Sequence, residues 1–177
     1  VAVQALGASV VLLDLLDSGF DGPVADGSLC GTSLDALADE LGTYVDGLRP
    51  HVVVTLDGSD GHRDHRHLRD ALVRAVSATA HGDCAMYECA LPNALMRRWL
   101  DEARVARPDD AYHAIDPADF GRPDADITDV IDQSHLLERR FHLMSIHRSQ
   151  RTPFDGLSRA LAEAFLGTDF LVRVPIT

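Results

Sequence analysis

Between Asp57 and His67 the chain reads DGSDGHRDHRH, which puts three histidines and three aspartates into eleven residues. His62, Asp64, His65 and His67 offer imidazole and carboxylate, the donors that zinc takes when thiolates are absent. A catalytic zinc uses three protein ligands and keeps one position for water, whose pKa falls to about 7, so that hydroxide is available at neutral pH. A neighbouring histidine then stabilises the developing oxyanion or protonates the leaving group. One short segment rarely supplies all three ligands, so the rest must come from elsewhere. The bland alternative is a polar helix start, capped by Asp64, with its histidines in water. The cluster alone leaves both readings open.

The elements around the cluster decide where it would sit. SVVLLDL (9–15) is a continuous apolar run of strand length, the pattern of a strand buried on both faces. Thr32 or Ser33 caps a predicted helix through about Leu48, with Leu34, Leu37, Leu41 and Val45 at helical spacing. HVVVTL (51–56) reads as a second buried strand, and 67–80 as a helix apolar at Leu68, Leu72, Val73 and Val76. Such alternation predicts an α/β domain with a Rossmann-like, mostly parallel sheet flanked by helices, spanning 1–177 as one unit. Ligands in these sheets bind beyond the carboxyl ends of the strands, and DGSDGHRDHRH follows one such end.

The second half is less regular. Helices are predicted over 92–103 and, capped by Ser134, over 134–150; strands are predicted over 126–132 and 168–174. The Pro- and Asp-rich stretch between 106 and 126 reads as a surface excursion, with a short strand at 112–115. Trp99, Met96 and Leu100 read as core, and Cys84 and Cys89 as buried thiols.

A net charge of −12 argues against nucleic acid or an anionic membrane as the main partner. No run of about 18 apolar residues exists to span a bilayer. Three cysteines without CxxC spacing suit a reducing cytoplasm. Neither GxGxxG nor a P-loop is present, so no nucleotide cofactor is implied. VAVQAL (1–6) reads as a helix already under way, which suggests that residues once preceded it.

RPHVVVTLDGSDGHRDHRHLRDALVRAV resembles the central motif of the LmbE/PIG-L family of zinc-dependent N-acetylglucosaminyl deacetylases. Gly61, His62, Asp64 and His65 match its Gly-His-x-Asp-His, and Arg63 stands where members usually carry proline. ALGASVVLLDLLDSGF and DITDVIDQSHLLERRFHLMSIHRSQ resemble two further family segments, in the family's order. The family's first motif, His-Pro-Asp-Asp, is absent and would precede Val1; RPDDAYH (107–113) lies on the wrong side of the central motif and has Arg107 in place of the ligand histidine.

The resemblance implies a LmbE-like fold without its N-terminal strand region and a metal-dependent removal of the N-acetyl group from an N-acetylated amino-sugar conjugate. Mycothiol-type and antibiotic-tailoring substrates are equally open. It implies zinc, or another divalent metal such as Fe2+, with His65 as a ligand. His62 would stabilise the oxyanion or act as acid, and Asp64 would hydrogen-bond His62 to fix its tautomer. Asp17 would contact sugar hydroxyls or simply turn the chain, and Asp60 would face substrate. His147 and Gln150 would be supporting or structural, and His67 a solvated helix residue. The chain alone would then be inactive, and the competing expectation is a sugar-binding or scaffolding domain that has lost catalysis. Homo-oligomerisation is left open.

Overall fold

The computed structural model describes residues 3, 6–79, 84–109, 114–147 and 151–176. Four strands, β1 (Val52–Leu56), β2 (Ala85–Ala90), β3 (Asp129–Asp132) and β4 (Thr168–Val174), form one open sheet in the order β1-β2-β4-β3. β1 and β2 run parallel, while β4 is antiparallel to both β2 and β3. The expected α/β architecture holds, with the parallel pairing confined to β1–β2, the pair joined by a helical crossover.

Among the described residues the helices α1 (Leu34–Leu48), α2 (Arg63–Ala78), α3 (Asn93–Ala106), α4 (Leu137–Ile146) and α5 (Arg159–Leu166) flank the sheet. Ser33 caps α1 by accepting from the amide of Ala36. On the covered face of the sheet, Val53, Met86 and Val174 pack beneath Val45 of α1 and Leu72, Val73 and Val76 of α2. Towards the other end, Phe170 joins Leu95, Met96, Trp99 and Leu100 of α3 and Leu161 of α5. Trp99 and its neighbours are therefore core, as their spacing predicts. α4 reaches the opposite face, where Arg140 makes a two-pronged pair with Asp169 at 2.6 and 2.8 Å. No helix among the described residues is long and apolar enough to cross a membrane.

Several expectations are corrected. Residues 9–15 form no strand: Asp14 adopts φ 53°, and only Leu16 makes an isolated bridge, to Ser28. A left-handed residue breaks the extended run, and an apolar sequence cannot become a strand without a hydrogen-bonded neighbour. Leu13 and Leu15 pack against Leu37, Ala38 and Ala71, whereas Leu12 is 77% exposed. β1 is not buried on both faces, since Val52, Val54 and Leu56 are exposed on an edge strand. α2 begins four residues before its expected start. The expected helix over 134–150 is a 3-10 turn (Ser134–Leu136) followed by α4, and Ser134 makes no side-chain cap. Its amide donates to Asp132 Oδ1 instead. Cys84 and Cys89 are half-buried free thiols. The helix expected over 1–6 and the strand expected over 112–115 fall largely outside the described residues.

β2 and α5 have no counterpart in the sequence reading. β2 alternates strictly, with Met86, Glu88 and Ala90 buried, but the buried carboxylate hides its strand pattern. Glu88 is 1% exposed and accepts from Arg69 Nε at 2.6 Å and Arg122 Nη1 at 3.2 Å. A buried carboxylate is tolerable only when so paired. Arg69→Met is expected to cost about 3 kcal/mol, the lower end for breaking a buried pair because Arg122 remains. Urea unfolding measures this; a loss within the roughly 1 kcal/mol of a surface pair would show that Arg122 suffices.

Candidate active site

The loop after β1 turns twice through glycine, at Gly58 (φ 74°) and Gly61 (φ 84°), before α2 begins. Gly58 is tied to its place: a Cβ there would lie 3.1 Å from the backbone of Arg66, and positive φ already disfavours a side chain. Asp57 Oδ1 accepts from the Ser59 amide, which tightens the turn. Gly121 donates to Ser59 O at 3.3 Å, linking the loop to the chain that follows α3. Two histidines are thereby delivered to the first turn of α2.

His62 itself is the N-cap, replacing Asp64 in that role: its Nδ1 accepts from the Asp64 amide at 3.2 Å. An Nδ1 that accepts leaves the ring's proton on Nε2, so His62 presents an N–H outward. That Nε2 lies 3.7 Å from Asp17 Oδ1. The ring meets Phe20 edge-on at 4.6 Å and stacks on His65 at 4.8 Å. His65 Nδ1 is held by Asp60 Oδ2 at 2.6 Å, and the other oxygen of Asp60 accepts from the His62 amide. Asp60 thus faces His65 rather than open solvent. The Nε2 of His65 is the nitrogen left for a ligand, in the carboxylate–histidine arrangement that metal-binding imidazoles adopt.

Asp64 is buried and ties two segments of the site together. Its carboxylate accepts from the Ser18 amide at 2.9 Å and the Cys30 thiol at 3.2 Å, and it is the backbone amide, not the side chain, that bonds His62. Burial pushes the Asp64 carboxyl up, but hydrogen bonds from Ser18 and Cys30 and the nearby His62 outweigh it and hold the group below the usual carboxylate range. Burial, and the bond to Asp64, push the Cys30 thiol up. Ser18 Oγ accepts from the Cys30 amide, so the 16–19 and 28–30 segments close on Asp64 together. Ser18 and Cys30 were not legible in the sequence as site residues. Only the Asp-Ser-Gly segment hinted at the first.

Asp17, His62 and Asp64 bring ligand atoms within 4.8 Å of one another, the one such group of three among the described residues. Imidazole with carboxylates suits a divalent cation. Both oxygens of Asp64 and Nδ1 of His62 already take part in hydrogen bonds within the site. His67 is no solvated residue: its Nε2 lies 3.0 Å from Thr32 O and joins α2 to the start of α1. His147 ends α4 on a groove of about 520 Å³ whose lining includes none of Asp17, Asp60, His62, Asp64 or His65. Gln150, Asp110 and His113 lie outside the described residues.

Residues 1–76, which hold the Asp-Ser-Gly segment, the loop and most of α2, match the family model described as PIG-L, GlcNAc-PI de-N-acetylase. Similar curated proteins include the 1D-myo-inositol 2-acetamido-2-deoxy-alpha-D-glucopyranoside deacetylases of Acidothermus cellulolyticus, 29% identical over 88% of this chain and 57% of that protein, and of Geodermatophilus obscurus, 28% identical over 89% and 62%. Deacetylase 1 of that name from Frankia casuarinae is 31% identical over 83% of this chain and 54% of its own length. The chain therefore spans a little over half the length of the curated relatives it matches.

Proposed function

We propose, from the match of residues 1–76 to the PIG-L family model and the likeness to curated deacetylases, that the protein removes the N-acetyl group of an N-acetylglucosaminyl conjugate by metal-assisted hydrolysis. The observation that carries this reading is the pairing of two side-by-side imidazoles at the start of α2, each fixed through Nδ1 by a different partner. One presents an N–H and the other a free Nε2 beyond the carboxyl end of β1, where such sheets bind ligands.

His65, backed by Asp60, would hold a divalent metal, zinc or Fe2+, through Nε2. When bound, the ion activates water and polarises the acetamide carbonyl. His62 Nε2–H would donate a hydrogen bond to the carbonyl oxygen as it gathers negative charge, and the departing nitrogen would take its proton from the attacking water. Water oxygen bonds to the acetyl carbon, the C–N bond breaks, and acetate and a free amine leave. Asp17, with its side chain 77% exposed, accepts from a sugar hydroxyl. Asp64 fastens the segment carrying Asp17 to the helix carrying both histidines. The free cysteines suit a reducing compartment such as the cytoplasm. The relatives named above are deacetylases, which gives the inactive sugar-binding alternative no support.

The test is acetate release by the full-length protein, loaded with zinc or Fe2+, across N-acetylglucosamine, its inositol conjugate and other N-acetylglucosaminides. Hydrolysis of at least one, stopped by chelation and restored by metal, is the expected result. No release with any of them, from protein shown to hold metal, would overturn the assignment.

A further inference from the structure

Arg63, the residue between the capping histidine and the buried aspartate, reaches away from the helix and across to the turn that follows Asp17. Its Nη1 donates to Gly22 O at 2.9 Å and its Nη2 to Asp21 O at 3.0 Å. Two consecutive carbonyls are thus held by one planar fork, a grip that needs the fixed geometry of guanidinium. The same turn is tied at its other end by the Ser18 amide on Asp64. Between the two ties lie Gly19, at φ 71°, with its amide on Asp17 Oδ1 at 2.6 Å, and Phe20, whose ring rests edge-on against His62. Phe20 is largely exposed even so. A large aromatic held in solvent beside an imidazole and a carboxylate presents an apolar face next to two polar groups, the profile of a sugar platform.

Resting on the hydrolytic reading above, we propose that Arg63 is a positioning residue that locks the 17–22 turn against α2 and so fixes Phe20 and Asp17 as the lip on which the pyranose ring is seated. The occupant is an amino-sugar ring, with its C–H face on Phe20 and a hydroxyl on Asp17. The clamp acts on binding rather than on bond breaking, because the guanidinium hydrogen-bonds backbone carbonyls of the turn. Without it, Ser18 still anchors the near end of the turn, and the far end is free to swing.

The experiment uses Arg63→Leu and Arg63→Lys in the full-length protein, with N-acetylglucosamine as the probe. For Arg63→Leu, KM is expected to rise about tenfold with the loss carried by KM rather than kcat, the signature of weakened ground-state binding. Arg63→Lys, which keeps a cation but not the fork, should recover only part of it. Phe20→Leu should raise KM comparably, and the double variant should be no worse than either single one, as for residues acting through one element. Amide hydrogen exchange over 17–22 should accelerate in Arg63→Leu while bound metal per chain stays the same. Unchanged KM in an active enzyme, or additive effects of the two substitutions, overturns the proposal. If the unsubstituted protein releases acetate from none of the N-acetylglucosaminides named above, the hydrolytic reading fails by itself, and the exchange measurement still decides the clamp: unaltered exchange over 17–22 refutes it.

Discussion

His65→Ala is expected to abolish stoichiometric metal binding by the full-length protein while leaving its fold intact. The side chain sits on the first turn of α2 with Nδ1 committed to Asp60, so any metal it holds is bound through Nε2 alone. Removing the ring removes that donor and strands the carboxylate behind it. Loss of a direct ligand should exceed the roughly 10–100-fold cost of losing an outer partner, so Asp60→Asn should fall inside that window and His65→Ala beyond it. The fold should tolerate the change, because the ring packs on His62 rather than in any of the three hydrophobic clusters, and alanine favours the helix. Metal content after dialysis, with chelator competition for affinity, gives the answer. Unchanged stoichiometry would transfer the metal to the Asp17, His62 and Asp64 group.

His62→Ala is expected to keep the metal and lose turnover by about 100-fold or more, the scale of losing one oxyanion donor. The substitution also removes an N-cap, worth about 1 kcal/mol to α2, and an edge-on partner of Phe20. His62→Asn separates the two effects, since asparagine caps well but supplies no imidazole. Its stability should return towards that of the parent while turnover stays depressed. Recovery of turnover with the cap would make His62 a structural residue. Loss of metal in both variants would make it a ligand, a role that its 3.7 Å approach to Asp17 allows.

What could be read without coordinates follows from local rules. Ser33 and the spacing of Leu34, Leu37, Leu41 and Val45 specify α1; the runs at 52–56 and 168–174 specify β1 and β4; the glycines flanking Ser59 and Asp60 specify a turn that hands two histidines to a helix. The order of the motifs also carried the resemblance to the family whose model matches residues 1–76, because each motif is a contiguous stretch. Pairing across the chain was not legible. Whether 9–15 becomes a strand depends on a neighbouring strand, and none of the described residues supplies one. Glu88 became a buried strand residue because Arg69 and Arg122, remote in sequence, neutralise it. Likewise, the partner of Asp64 proved to be Ser18 and Cys30, and that of His65 proved to be Asp60, because hydrogen bonds are chosen by distance in space after packing has set it. Residue types and spacing fixed which chemistry was available to this protein; only the closure of the 17–30 segment onto α2 decided which side chains face one another across the loop and which tie the segments together.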